Sequence, residues 1–327
     1  MAEEFDCIVI GGGPAGSTAA ALIAEAGPKT LLLEREQHPR FHIGESLMPE
    51  TYWTLKRLGV LDKMKGSEHP QKYSVQFVNH QGKESAPFYF RDEHDHESSV
   101  TWQVVRGDFD KMLFDNAAEK GAVCREQTRV LDLLRDGDRV VGVKARSDGE
   151  EPCDLRAKVV VDASGQSSLI ANQFKLREPN DQLRKASIWS YFRGAHRDSG
   201  VDEGATVILS SEDKQAWFWY IPLADDLVSV GVVADVDYLL RKGISPEDRF
   251  ADELRRCSAV ARRIDGATRA DEFRVTRDFS YVTKRPAGDG WVLIGDAGGC
   301  LDPIYSSGVC LALQSGEMAA EAIVEGG

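Results

Sequence analysis

No apolar run among the 327 residues reaches the ~18–20 residues that a membrane-spanning helix needs. Cysteine is sparse: Cys7, Cys124, Cys153, Cys257, Cys300 and Cys310 are scattered, with no CxxC pair. That pattern argues against a disulfide framework or a zinc site and suits reduced thiols in a cytoplasmic protein. Positive charge is short as well. A net charge of −13 argues against a nucleic-acid partner, which needs a basic surface to neutralise phosphates, though a locally positive pocket stays open. The GxSxG, HExxH and P-loop signatures are missing, so hydrolase and P-loop readings have no anchor. There is no internal repeat and no low-complexity tract. His94 and His96 stand one residue apart in a dense charge run, which reads as a solvated loop and not as a metal site. The acidic start runs straight into a strand, unlike a signal peptide.

What is present begins at once. Residues 5–10, Phe-Asp-Cys-Ile-Val-Ile, make a short apolar run suited to a buried parallel strand. Gly11, Gly13 and Gly16 follow at GxGxxG spacing, with Pro14 and Ala15 between the last two. The first Gly permits a tight turn, the second lets a pyrophosphate approach the backbone, and the third lets helix pack on strand. Pro14 suits a first helical turn. The small-residue helix that follows can end at Gly27, and its free N–H groups favour phosphate. Thr30-Leu-Leu-Leu-Glu34 reads as the second strand. It is closed by an acid where a carboxylate meets ribose hydroxyls, with Arg35 next to it. Strand, turn, helix, strand and Glu together predict a dinucleotide site. They do not separate FAD from NAD.

Three further segments separate them by resemblance. Val104-Val-Arg106-Gly-Asp-Phe109 resembles the helix start whose arginine approaches FAD in hydroxylase-type flavoproteins. Lys158-Val-Val-Val-Asp162-Ala-Ser-Gly165 resembles their DG strand end, and Trp291-Val-Leu-Ile-Gly295-Asp296 their GD motif. Each is an apolar strand opening on a ligand. Gly44-Glu45-Ser46 is similar to a loop shared by flavin-dependent halogenases and geranylgeranyl reductases. Trp217-Phe-Trp219-Tyr-Ile221-Pro222 matches the WxWxIP core of the halogenase signature, with Ala216 in place of its leading glycine. The resemblance spans nearly the whole chain and implies an FAD-dependent halogenase of the phenol- or pyrrole-type branch.

On that resemblance, Ser306, Ser307 and Gly308 correspond to the halide-binding loop, with Gly308 and Val309 also beside the flavin. Cys310 stands where many phenolic-type relatives carry His. Lys72 matches the lysine that passes oxidised halogen from flavin to substrate. Trp217, Trp219, Ile221 and Pro222 would wall the substrate from the flavin. The implied partners are a halide ion, a separate flavin reductase and an aromatic small molecule, free or on a carrier protein. Relatives usually continue with a variable segment that covers the substrate. A geranylgeranyl-reductase-like enzyme, an aromatic monooxygenase and a catalytically incomplete flavin-binding core remain alternatives.

The expected fold is α/β: a Rossmann-type FAD domain interleaved with an antiparallel substrate sheet. The FAD domain takes residues 1–70, 101–178 and 274–327. A hairpin fills 71–100, with strands at 73–79 and 86–91, and the substrate sheet and a helix fill 179–273. Alternation sets Lys72, Ser74 and Gln76 on one face and Tyr73, Val75 and Phe77 on the other. The helix begins at Ser245-Pro246 and is expected to run to about Arg263.

Overall fold

A strand apolar on both faces must sit inside a sheet covered on both sides. In the computed structural model, which describes residues 3–277, 280–300 and 303–326, Glu3–Ile10 takes that place. It pairs in parallel with Cys153–Asp162 on one side and Thr30–Leu33 on the other. Trp291–Leu293 and Val123–Arg125 extend the parallel core outward. One face is covered by the helices Pro14–Glu25, Arg106–Glu119 and Gly308–Gly326. The other is covered by the hairpin Thr128–Asp136/Arg139–Ser147, whose Val130, Leu133, Val140 and Val143 are buried against Ile8, Leu31 and Val160. The hairpin turns at Gly137, φ +60°, as its Asp-Gly sequence anticipates.

The second sheet runs Thr268–Arg269, Lys185–Arg193, Leu227–Asp235, Ala216–Pro222, Thr206–Ser210, Ser74–Val78 and Phe88–Tyr89, with Arg274–Arg277 also on Lys185–Arg193. Alternation gives it two apolar faces. Phe218, Tyr220, Val230 and Val232 pack under the helices that carry Phe250 and Val260. Trp189, Tyr191, Trp219, Ile221 and Val233 form the opposite face.

Three expectations need correction. The sheet is mixed: Thr206–Ser210 pairs in parallel with Ser74–Val78, because the chain reaches this edge from another part of the sequence. The expected hairpin is shorter, since Phe88–Tyr89 gives way to a helical turn at Phe90–Glu93. The helix capped by Ser245, whose hydroxyl accepts from the Asp248 amide, stops at Arg255. A second helix, Ser258–Arg263, then turns its Val260 into the core. Among the described residues no helix is long and apolar enough to cross a membrane.

Candidate active site

The glycine turn shows why each glycine is there. Gly11 has φ +105°, and a Cβ on it would lie 2.4 Å from the Ala163 carbonyl oxygen. A Cβ on Gly16 would lie 1.9 Å from Gly11 O, so this glycine seats helix on strand. A Cβ on Gly13 would meet only the Arg40 guanidinium, at 3.5 Å, so that side of the turn is open. No side chain caps the helix Pro14–Glu25, which leaves its first amides free for an anion.

In front of the turn lies a cavity of about 760 Å³. Gly11, Gly13, Pro14 and Ala15 line one end, together with Glu34 and Arg35. Glu34 accepts from the Gly12 amide at 3.0 Å and from Arg40 Nε at 3.3 Å. Arg40 in turn reaches the fully buried Asp110 at 2.9 Å. Arg106 also lines the cavity, with Nε and Nη2 on Asp110 at 2.8 and 2.9 Å and Nη1 on the Ile43 carbonyl. Burial opposes ionisation of Asp110, but Arg106 and Arg40 hold its carboxyl below the usual range. Gly44, Glu45, Ser46, Gly165 and Asp296 are further along the lining. Burial raises the Asp296 carboxyl.

The lining also takes in Trp217, Trp219 and Ile221 from one strand face, and Ser306, Ser307, Gly308 and Val309 just before and at the start of the last helix. Ser306 has φ +54°. Trp219 lies across Gly231 of the neighbouring strand, where an added Cβ would stand 2.1 Å from the ring. Its Nε1 donates to Ser229 Oγ at 3.1 Å.

Four of the sequence-derived site residues do not line this cavity. Gly16 acts in packing, as above. Asp162 is turned inward: it accepts from the Ser164 amide at 2.9 Å and the Ile170 amide at 2.7 Å. It therefore shapes the loop that carries Gly165. Pro222 falls one residue out of step with Ile221 and so on the opposite sheet face.

Lys72 is the fourth. It is buried, 3% exposed, in a two-residue strand that pairs with Thr101–Trp102. Its Nζ contacts Ser46 Oγ at 2.9 Å and Leu47 O at 3.1 Å. Burial lowers its pKa to about 7, against the pull of Glu50. The alternation places Lys72 and Ser74 inward and Phe77 outward, the reverse of an edge strand with a wet polar face.

Glu45, from the Gly44-Glu45-Ser46 loop, has a partner that carries no motif. Glu45 Oε1 accepts from Tyr191 Oη at 2.6 Å, while its Oε2 is buried without a hydrogen bond. Burial lifts the carboxyl to about 7, opposed by Tyr191, Ser229 and Arg106. Arg40 and Tyr191 could be found only by their spatial partners. Among the described residues no group of His, Cys, Asp and Glu gathers as a metal site.

The residues fit FAD. An open glycine cradle, an uncapped helix start and a carboxylate at the second strand line one cavity with the aromatic strand face. The FAD binding domain family matches residues 4–325. The 1H-pyrrole-2-carbonyl-(peptidyl-carrier protein) chlorinase of Pseudomonas fluorescens is 31% identical, over 99% of this chain and 76% of its own length. The corresponding brominase of Pseudoalteromonas luteoviolacea is 34% identical, over 98% and 77%. Among solved structures, the myxobacterial chondrochloren halogenase CndH has a TM-score of 0.91 at 35% identity, over 98% of this chain and 75% of that one. The flavin-dependent brominase Bmp2 gives 0.90 at 32%, over 98% and 79%.

Proposed function

The chain belongs to the flavin-dependent halogenases, and on that premise we propose that it halogenates an electron-rich aromatic ring carried as an acyl group on a carrier protein. It is an FAD-dependent oxidoreductase. Bound reduced FAD supplies the activation of O2 by which a halide ion is oxidised. The two relatives named for pyrrole-carbonyl carrier substrates support the acyl-carrier class. A separate reductase would deliver the reduced flavin.

The residues divide this work. Gly11, Gly13 and the amides of Ala15 and Gly16 at the helix start would hold the pyrophosphate, with Glu34 at the ribose. Arg106 is fixed by Asp110 and holds the Ile43 and Gly44 carbonyls, which would stand beside the flavin. Ser306, Ser307 and the first amides of the last helix receive the halide. Trp217, Trp219 and Ile221 would stand between the flavin and the substrate within the same cavity, which Ser46 and Thr206 also line.

The observation that carries the reading is a buried amine, Lys72, one hydrogen bond behind the wall of the cavity that begins at the glycine turn. Its burial disfavours the charged form, and Glu50, the Ser46 hydroxyl and the Leu47 carbonyl offset that only in part. The test supplies reduced FAD, O2 and bromide or chloride with a pyrrolyl- or phenyl-acyl carrier protein, and with the free acid. Halogenated product is expected from the parent. Lys72→Ala should keep its FAD absorbance and lose at least a hundredfold in product formation (order of magnitude from removal of a general acid–base group). A Lys72→Ala variant that matches the parent removes the lysine from the mechanism.

A further inference from the structure

We propose that Lys72 acts on the cavity through a two-hydroxyl relay, Ser46 and Thr206, so that Thr206 is the point at which a proton from the substrate enters the chain. This rests on the halogenase reading and says how its buried amine is used.

The geometry is continuous. Lys72 Nζ stands 2.9 Å from Ser46 Oγ, and Ser46 Oγ stands 2.8 Å from Thr206 Oγ1. Both hydroxyl residues line the cavity, and Lys72 does not. Gln103, fully buried, sets the far end. Its Nε2 contacts Gly204 O and Thr206 Oγ1, each at 2.8 Å. A carbonyl oxygen can only accept, so the amide nitrogen must face Gly204 and its second N–H is committed to Thr206. One lone pair of Thr206 is therefore occupied. One lone pair and one O–H remain, to be shared between Ser46 and the cavity.

Counting protons then gives two states. With Lys72 as a neutral amine, Ser46 O–H donates to Nζ and Thr206 O–H donates to Ser46, so Thr206 presents a lone pair to the cavity. With Lys72 as an ammonium, Nζ donates to Ser46, Ser46 donates to Thr206, and Thr206 presents its O–H. In both states an N–H of Lys72 remains for Leu47 O, 3.1 Å away. The separations fit either direction of donation. Glu50 is the charged group acting on the amine, and the Phe90 ring lies 5.4 Å from it.

This chain meets a need of aromatic halogenation. When an oxidised halogen adds to a ring carbon, the C–H bond at that carbon must break. Its electron pair returns to the ring, and its proton must leave. The proton passes to Thr206, the Thr206 proton to Ser46, and the Ser46 proton to Lys72. The amine ends as ammonium, with no oxidant beyond the halogen itself. The reversed chain then offers the cavity an O–H donor until Lys72 is deprotonated again.

Two measurements test it. In FAD-loaded enzyme, Thr206→Val should lower kcat for halogenation about a hundredfold (the low end of the range for lost proton transfer) while FAD content is kept. Thr206→Ser should restore it to within about twofold, because the hydroxyl and not the methyl is required. Independently of turnover, the Lys72 Cε resonance of 13C-lysine-labelled protein, assigned with Lys72→Met, should titrate near neutrality. Ser46→Ala should move that midpoint down by about one unit, since the ammonium loses a charge-assisted acceptor. A Thr206→Val enzyme with the parent's kcat and pH profile overturns the relay while the halogenase reading stands. An unmoved midpoint in Ser46→Ala overturns it as well. A parent that yields no halogenated product, with the midpoint still moved by Ser46→Ala, supports the hydroxyl–amine link and sinks the halogenase reading instead.

Discussion

Glu45 shows how far a single side chain can depart from what its motif says. The sequence places it in a loop shared by two flavoprotein groups. The structure buries it between Tyr191 and Arg106, where desolvation lifts its carboxyl from an ordinary 4.5 to about 7. Between those values the folded protein holds a proton that the unfolded chain has released, so this group's contribution to stability falls as pH rises through the window. The loss is on the order of 3 kcal/mol from a shift of that size. Urea unfolding between pH 4.5 and 8 should therefore show the parent losing stability relative to Glu45→Gln. Parallel curves would mean that Glu45 is not held protonated. Lys72 teaches the same lesson from the other side. The family resemblance suggested its role, but its place on the polar face of an alternating stretch gave no hint of burial. Asp162 was legible as a strand-end acid, yet its inward turn depends on the Ser164 and Ile170 amides, which no pattern encodes.

At the scale of elements, the strand Ala216–Pro222 carries its reading on alternation alone, so Trp217, Trp219 and Ile221 share a face wherever the strand lies. Its position against Gly231 does not follow from alternation. It comes from the antiparallel register with Leu227–Asp235, which sets Trp219 opposite Gly231. Gly231→Val should push the Trp219 ring toward the cavity, at a cost of about 1–3 kcal/mol for overpacking. The expected signs are a red-shifted tryptophan emission and slower halogenation with FAD still bound. Unchanged emission would show that the ring does not rest on that glycine. The parallel pairing of Thr206–Ser210 with Ser74–Val78 was hidden for a related reason. Strand partners far apart in sequence are chosen by which edge is left open, and neighbouring residues carry no record of that choice.

For the whole molecule, the cavity draws its lining from both sheets: the glycine turn and Asp296 from one, Trp219 and Thr206 from the other. A ligand that fills it should stabilise the two together. FAD at a hundredfold excess over its Kd adds about 2.7 kcal/mol by mass action. Calorimetry should show one transition moving up by several degrees. Two transitions, of which only one moves, would mean that the cofactor holds the parallel sheet alone.

The sequence by itself determined the local chemistry. The glycine spacing, the apolar strands ending in acids and the Trp-x-Trp-x-Ile alternation are rules of backbone geometry that act over a few residues. They needed no partner to be read. Tertiary structure decided which of those groups meet. It set Lys72 behind Ser46, joined Ser46 to Thr206 across more than a hundred residues of chain, and turned Asp162 and Pro222 away from the cavity. Burial and hydrogen-bond partnership are properties of the packed whole, because each depends on surfaces contributed by distant segments.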